Sequence, residues 1–225
     1  METSNSCSSC KAAKQAGLHL IKDEHRVCLN SCSTTHHYKK GDVIFTQGQH
    51  LTHVLCLRSG LVRLDAVGDN GHEMTFGLIK TGDLLGLGSV LAKKTSTVTA
   101  TAIEETYACS FTSEYISKMV SESPELAIHY LSIMMGDLRE TQQRLLNGVD
   151  KDVRARVAES LIYLKANYPD HNFTRKEIAE WAGTTTESVI RTLGHLEEDG
   201  IINQSGRKIL VTDSSRLNQL AHLVF

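Results

Sequence analysis

Cysteine is the residue type whose number and spacing in this chain most directly suggest chemistry. The chain has six cysteines; Cys7 and Cys10 form a C-x-x-C pair near its start, and Cys109 lies in a β-like run. Thiolates bind zinc and iron–sulfur clusters, and a close pair of thiols also undergoes reversible oxidation. Since no secretory signal is evident, metal binding, redox chemistry or simple packing is expected rather than structural disulfides.

The other cysteines and several histidines extend the set of candidate ligands. Cys28 and Cys32 have the i, i+4 spacing of neighbours on a helix face. A free cysteine among apolar neighbours is more often a small buried hydrophobe, and that alternative applies to these two residues, to Cys56 and to Cys109. The histidines that could act as ligands, but for which surface or capping roles are the simpler interpretation, are His19, His25, His36 and His37.

A second group of polar residues, near position 190, has the pattern of a DNA-reading helix. A helix predicted over 185–196 places Val189 and Leu193 on one face and short polar residues on the other. On the polar face, Arg191 can form a bidentate pair with guanine, and Glu187 can accept a hydrogen bond from the amino group of cytosine. The N-terminal part of a recognition helix is the part that meets base edges.

The residues before this helix complete a helix-turn-helix pattern. Thr174 is a good N-cap, and Glu177, three residues later, is its capping-box partner. Gly183 can adopt the positive φ that a sharp turn between two helices requires. The alternative is an ordinary hairpin of surface helices, but the β-hairpin that follows favours DNA binding.

That β-hairpin is predicted directly after the second helix. Strands at 201–203 and 209–211 flank a turn that carries Arg207 and Lys208. Two cations at a hairpin tip beside a recognition helix suit contact with DNA phosphates. The complete set of predicted DNA contacts is Arg175, Thr185, Thr186, Glu187, Ser188, Arg191, Arg207 and Lys208.

Two further elements lie between the first cysteines and the helix-turn-helix. Between 34 and 111, short β-like runs separated by glycines indicate an all-β barrel of the jelly-roll type. Pro124 then begins a long predicted helix with an apolar heptad seam. The seam packs either on its own domain or against a second copy, and we favour a dimer because little else would cover it. The predicted dimerisation residues are Ile128, Leu131, Met135, Leu138, Gln142 and Leu145.

These patterns divide the 225-residue chain into four regions and predict an α+β fold. A cysteine-bearing segment spans 1–33, a β-barrel sensor domain 34–115, a dimerisation helix region 116–149 and a winged helix-turn-helix domain 150–225. The net charge of −2 does not by itself indicate a nucleic-acid partner. Affinity for DNA must therefore come from locally placed cations, helix N-termini and a second copy of the domain.

The chain shows no sequence features of a membrane protein, a secreted protein or an enzyme. It has no apolar run long enough to span a bilayer and no signal-peptide core, so we expect a cytoplasmic protein. The Cys7/Cys10 dithiol is the only group competent for chemistry, and it lacks both a βαβ context and a partner base. Catalysis is therefore not expected.

In their order along the chain, these elements resemble the CRP/FNR transcription regulators over nearly the whole sequence. The best-matching motifs are YKKGDVIFTQG at 38–48, RSGLVRL around Gly60, GDLLG at 82–86 and the E-x-x-x-R of Glu187 and Arg191. The resemblance implies a homodimeric transcription activator with double-stranded DNA and RNA polymerase as partners. It also implies that Glu187 and Arg191 read a TGA-type core in each half of a palindrome.

The resemblance also bears on the signal that the barrel senses. Members that bind cyclic AMP carry a Gly-Glu pair and, about ten residues later, an Arg-Ser pair; this chain has G-L-G-S at 86–89 and T-S-T at 95–97. Leaving the contacts of a charged ligand unmade costs roughly 2–5 kcal/mol, so cyclic AMP is not expected. Haem is unsupported, because Gly86 and Gly88 stand where haem-binding relatives place a ligand.

The oxygen-sensing FNR branch of the family resembles this chain in its cysteines. That branch holds a [4Fe–4S] cluster with three N-terminal cysteines and one on the last barrel strand, which implies Cys7, Cys10 and Cys109 as ligands here. No third cysteine follows closely, so Cys28 is the tentative replacement and Cys32 the alternative. Control by thiol oxidation, zinc or a small effector in the barrel stays open, as does a ligand-sensing module that does not bind DNA.

Overall fold

The computed structural model describes residues 10–22, 25, 34–71 and 73–222, so Cys7, Cys28 and Cys32 lie outside the described residues. The chain divides into two compact units. The first comprises Met1–His72 and Phe76–Leu138, and the second comprises Glu73–Thr75 and Arg139–Phe225.

The first unit is built around a β-sandwich of two four-stranded antiparallel sheets. Its sheets have the strand orders β1-β8-β3-β6 and β2-β7-β4-β5. The predicted β-barrel of the jelly-roll type is confirmed in this form. The strands are β1 (Thr34–Tyr38), β2 (Val43–Phe45), β3 (His53–Ser59), β4 (Val62–Val67), β5 (Glu73–Ile79), β6 (Leu84–Leu85), β7 (Thr99–Ala102) and β8 (Thr106–Thr112).

The central strands β3 and β8 are buried along most of their length. Val54 to Leu57 on β3 and Ala108 to Phe111 on β8 are all buried, so both faces of these strands are covered. A short helix, α1 (Lys11–Gln15), packs against β3 and contributes Ala12 to the hydrophobic core. Helix α1 therefore forms part of the wall of the sandwich.

Three helices follow or interrupt the strands. Helix α2 (Leu87–Ala92) begins after Gly86, which has a φ of +86°, and was not expected from the G-L-G-S sequence. Helix α3 (Ser113–Glu122) is capped by the Thr112 side chain. Helix α4 (Pro124–Asp150) begins at the predicted proline. Large apolar side chains that stay exposed on α4 are Ile128, Leu131, Ile133, Met135, Leu138, Leu145, Leu146 and Val149.

In its described residues, the second unit holds the C-terminal end of α4, four further helices and a two-stranded sheet. The helices are α5 (Val153–Asn167), α6 (Arg175–Ala182), α7 (Thr186–Glu198) and α8 (Ser214–Leu220), and the strands are β9 (Ile202–Ser205) and β10 (Lys208–Val211). Helix α5 is capped by Asp152, whose carboxylate accepts a hydrogen bond from the Ala155 amide at 2.8 Å. Among the described residues, none of the helices has both the length and the apolar character needed to cross a bilayer.

Candidate nucleic-acid interface

Helix α6 has the start and the end that the sequence predicts. The Thr174 hydroxyl accepts a hydrogen bond from the Glu177 amide at 3.2 Å, and the Glu177 carboxylate accepts one from the Thr174 amide at 2.6 Å. This reciprocal capping box satisfies backbone donors that would otherwise lack partners. At the other end, Gly183 has a φ of +62°, which allows the chain to turn sharply towards α7.

Helix α7 is fixed by its cap and by its buried face. The Thr185 side chain accepts a hydrogen bond from the Ser188 amide at 3.2 Å. Val189, Leu193 and Leu196 are fully buried against the rest of the second unit. Because these side chains determine the rotation of α7 about its axis, they also determine which residues face outward.

The outward face of α7 presents the two predicted base-reading residues. Glu187 and Arg191 are both exposed and lie one helical turn apart. Within the described part of the chain, neither side chain forms a hydrogen bond or an ion pair. Thr185 is exposed, whereas Thr186 and Ser188 are half-buried beside them. The carboxylate and the guanidinium are thus available to base edges, next to the positive end of the helix dipole.

The predicted wing is an antiparallel hairpin of β9 and β10. The register pairs Lys208 with Ser205, and Gly206 in the turn has a φ of +58°. Arg207 and Lys208 are exposed at the tip, with Lys208 already the first residue of β10. Both cationic side chains are therefore open to solvent at the tip of the hairpin.

Hydrogen bonds connect the wing to helices α6 and α7. The Arg175 guanidinium donates hydrogen bonds to the side-chain oxygen of Gln204 and to the carbonyl of Arg207. The Glu197 carboxylate accepts bonds from the Gln204 amide at 2.7 Å and from its side-chain nitrogen at 3.0 Å. Arg175 remains a predicted DNA contact; in the structure it links α6 to the wing.

Arg156, which the sequence did not single out, holds the turn between α6 and α7. Its Nε donates to the Ala182 carbonyl at 3.1 Å, and its guanidinium also reaches the Gly183 carbonyl at 3.4 Å. A third hydrogen bond, at 2.9 Å, goes to the Lys151 carbonyl. One side chain from α5 therefore satisfies carbonyls at the end of α6 that the helix itself leaves open.

A second arginine joins the end of α4 to α6. The Arg144 guanidinium lies 4.3 Å from the centre of the Trp181 ring and donates to the Trp181 carbonyl at 2.9 Å. Tyr163 stacks on the same ring with a centroid distance of 5.1 Å. Burial lowers the pKa of Arg144, and the nearby carboxylate of Glu140 opposes that change. The C-terminal turns of α4 are thereby fixed to the helix-turn-helix.

Among the cysteines, the described ones are Cys10, Cys56 and Cys109, and all three lie in the first unit. Cys56 and Cys109 are buried, and the Thr35 hydroxyl lies 4.0 Å from the Cys109 sulfur. Cys10 is half-buried as the N-cap of α1. In the described ranges, no three cysteine, histidine or acidic side chains are grouped closely enough to hold a metal ion. Three of the predicted ligands, Cys7, Cys28 and Cys32, lie outside those ranges.

The four candidate histidines each have a partner in the first unit. His36 lies 2.8 Å from the Ser110 hydroxyl and His37 lies 2.9 Å from the Glu105 carboxylate. His19 and His25 contact the Lys14 carbonyl at 2.9 Å and the Glu122 carboxylate at 2.8 Å. His19 and His37 are exposed and His36 is half-buried, whereas His25 is buried, so a surface role does not fit His25.

Each of the two units contains a region that matches a known protein domain. Residues 35–123 match the cyclic nucleotide-binding domain, and residues 155–220 match the Crp-like helix-turn-helix domain. The transcriptional activator protein FnrA of Stutzerimonas stutzeri is 30% identical over 192 residues, which cover 81% of this chain and 78% of FnrA. The CRP-like cAMP-activated global transcriptional regulator of Mycobacterium tuberculosis is 26% identical over 193 residues, which cover 82% of this chain and 86% of that protein.

The fold of this chain is also similar to that of a solved structure. The structure of FixK2 from Bradyrhizobium japonicum matches with a TM-score of 0.76 and 24% identity, covering 86% of this chain and 99% of FixK2. The Crp-like helix-turn-helix makes this a DNA-binding protein, so the alternative of a sensing module that does not bind DNA is wrong. The matched proteins are regulators rather than enzymes, as expected. The chain belongs to the CRP/FNR family of transcription regulators.

Proposed function

We propose that this protein is a homodimeric, cytoplasmic transcription activator that binds a palindrome with TGA-type half-sites and responds to oxygen or redox state through an iron–sulfur cluster. The observation that carries the DNA-reading part is the exposure of Glu187 and Arg191 on α7. The presence of Cys109 on the last strand of the sandwich carries the sensing part.

Sequence reading is assigned to the outward face of α7. Arg191 matches the two acceptors of guanine, and Glu187 matches the amino donor of cytosine. Arg207, Lys208 and Arg175 contact the phosphates and fix the orientation of the domain without reading sequence. Since the second unit carries equal numbers of basic and acidic residues from Lys151 onward, one copy alone gains little from bulk charge.

The proposed dimer forms along α4. Ile128, Leu131, Met135 and Leu138 are 46–64% exposed, and Leu145 is 72% exposed, although each is a large apolar residue. Packing this stripe against the same stripe of a second copy removes it from water, with Gln142 as the polar residue in the seam. Two recognition helices one DNA turn apart then bind together.

In the proposed sensor, cysteine thiolates of the first unit bind the iron–sulfur cluster. Thiolates are the usual ligands of iron–sulfur clusters, and Cys10 and Cys109 lie on the same packed core. When bound, the cluster supplies sensitivity to oxidants. We keep Cys7, Cys10 and Cys109 as ligands; the sequence gives Cys28, or Cys32 as the alternative, as the remaining one. A shift at this site biases the packing of α4 and hence the fit of both recognition helices to DNA.

Cyclic AMP is not the proposed effector, although one relative is named as cAMP-activated. Residues 86–97 contain neither glutamate nor arginine, the residues that contact the ribose and the cyclic phosphate in cyclic-AMP-binding members. Within the same segment, the buried Ser96 hydroxyl already donates to the Val98 carbonyl at 2.7 Å. Thiol oxidation, zinc or another small effector is the second candidate signal, since Cys56 and Cys109 lie together in the core.

Anaerobic purification of the full chain tests the proposal. We expect iron and acid-labile sulfide in equal amounts, a visible absorption that bleaches in air, and loss of both in Cys109→Ser. Binding to a labelled TGA palindrome, measured by fluorescence anisotropy before and after air exposure, connects the cluster with DNA. Absence of iron and sulfide after anaerobic reconstitution contradicts the sensing part and leaves the DNA-binding part intact.

A further inference from the structure

We propose that residues 10–21 form a displaceable strap that couples Cys10 to helix α4, and that the strap acts on α4 through a contact between Gly17 and His129. The inference deepens the proposed function and rests on it, because Cys10 is one of the proposed cluster ligands and α4 is the proposed dimerisation helix. All of the residues involved belong to the first unit.

The strap is packed onto the sandwich along most of its length. Helix α1, which forms its first part, packs against β3. Cys10 is the N-cap residue of this helix. The strap residues that are buried in the hydrophobic core of the unit are Ala12, Ala13, Ala16, Leu18 and Ile21. Because these side chains are closely packed, a change at Cys10 shifts α1 and the turn after it together.

The turn after α1 lies directly against α4. Gly17 in this turn is buried and has a φ of +75°. A Cβ atom at this position would lie 2.9 Å from Nε2 of His129 and nearer still to Cδ2 of the same ring, which leaves no room for a side chain. The strap backbone therefore touches the imidazole ring directly, so a movement of the turn acts on α4 without an intervening side chain.

His129 lies between the buried and the exposed face of α4. Leu126 and Tyr130 are buried in the core of the unit, whereas Ile128 and Leu131 are exposed and belong to the proposed dimer seam. Because these residues occupy adjacent turns of one helix, a contact that fixes the rotation of α4 at His129 also fixes the direction in which the seam points. A docked strap thus presents the seam to a second copy, and release of the strap weakens the dimer.

The same contact contains a feature that favours release of the strap. The Nε2 atom of His129 is buried and has no hydrogen-bond partner among the described residues. A buried polar atom without a partner destabilises the state in which it is buried. Since Gly17 covers this atom, displacement of the strap returns it to water and offsets part of the packing that is lost. The docked and released states are thereby brought closer in free energy, as a two-state switch requires.

Trypsin cleavage of the metal-free full chain after Lys14, followed by mass spectrometry, measures release of the strap. Lys14 is exposed on α1, and a protease cuts a packed segment only when that segment opens. We expect Gly17→Ala and His129→Ala, which disrupt the contact, to raise the cleavage rate by about tenfold. His129→Phe keeps a ring but removes the buried polar atom, so we expect it to lower the rate by about tenfold. Glu125→Gln, at an exposed position in the first turn of α4, is the matched control with the wild-type rate.

Analytical ultracentrifugation of the same variants connects the strap with the dimer. We expect the dissociation constant of the dimer to rise about tenfold in Gly17→Ala and His129→Ala, to fall in His129→Phe and to stay unchanged in Glu125→Gln. Reconstitution of wild type with ferrous iron and sulfide without oxygen should slow cleavage after Lys14 and tighten the dimer together. Far-UV circular dichroism checks that each variant is folded, and His129→Phe keeps the inference testable if Gly17→Ala does not fold.

The two measurements separate failure of the inference from failure of the proposed function. Equal cleavage rates in wild type, Gly17→Ala and His129→Phe overturn the strap contact. Altered cleavage with an unchanged dimer dissociation constant overturns its role in regulation. A wild-type chain that binds no cluster, or that stays monomeric at every concentration, overturns the proposed function instead. The cleavage rates of the metal-free variants identify this last case, because they do not depend on the cluster.

Discussion

The two units place their functional residues in contrasting ways. In the second unit, Glu187 and Arg191 lie four residues apart on one helix, and their geometry follows from the local rules of α7. In the first unit, Cys56 and Cys109 are more than fifty residues apart in the sequence and meet only because β3 pairs with β8. The relative position of Glu187 and Arg191 is thus determined by the local structure of one helix. The relative position of Cys56 and Cys109, the thiol pair, depends instead on the strand pairing of the whole sandwich.

The largest expected effect is a loss of stability caused by a substitution in the core of the first unit, close to Cys109. Phe111 lies on β8, two residues after Cys109, and is almost fully buried. Phe111→Ala is expected to lower the free energy of unfolding of the first unit by about 3–5 kcal/mol. Urea unfolding followed by far-UV circular dichroism measures this loss. Tyr107→Ala on the same strand is the control, because Tyr107 is 40% exposed; an equal loss there contradicts the argument.

A matching change in the second unit tests whether α7 depends on its own buried face. Leu193 is fully buried on α7, and Leu193→Ala is expected to destabilise the unit by about 2–5 kcal/mol. Trp181, the single tryptophan of the chain, lies in this unit, so its fluorescence follows the unfolding in urea. Ile190→Ala on the exposed side serves as the control. If both variants unfold at the same urea concentration, the assigned faces of α7 are wrong.

A smaller effect is expected from removing one reading residue. Arg191→Ala should weaken binding to the TGA palindrome by about 1–3 kcal/mol and relax the preference at the guanine position. Anisotropy titrations with the palindrome and with single-base variants of it measure both consequences. Retention of wild-type affinity and base preference in Arg191→Ala would show that the helix docks differently.

The smallest expected effect concerns the tip of the wing. Lys208→Ala should weaken binding to all sequences about equally and reduce the slope of log affinity against log salt by about 1, as for the loss of one phosphate contact. Titrations at several salt concentrations measure this slope for specific and random DNA. A change in base preference instead would assign Lys208 to sequence reading.

Local signals explain why many elements of both units were predictable from the sequence. The capping box of Thr174 and Glu177, the turn at Gly183 and the start of α4 at Pro124 each depend on residues within one or two turns of each other. These features are confirmed at the residues predicted. The jelly-roll strands were found for the same reason, from alternating runs between glycine turns.

The contacts that the sequence did not predict are mostly between residues that lie far apart along the chain. The contacts of Arg156 with the turn and of Arg175 with Gln204 join residues 26 to 29 positions apart, and no local pattern encodes them. The Cys56–Cys109 register likewise follows from strand order. Short elements were missed for a different reason, because β6 has only two residues and α2 begins in a glycine-rich segment that resembles a loop.

The hydrogen bonds of Arg156 have a consequence for protein engineering. The turn between the two helices takes part of its support from a side chain that lies before the helix-turn-helix itself, on a helix capped by Asp152. A fragment cut at Thr174 would lack that support. A portable DNA-binding module derived from this protein, for fusion to another sensor, should therefore start no later than Asp152.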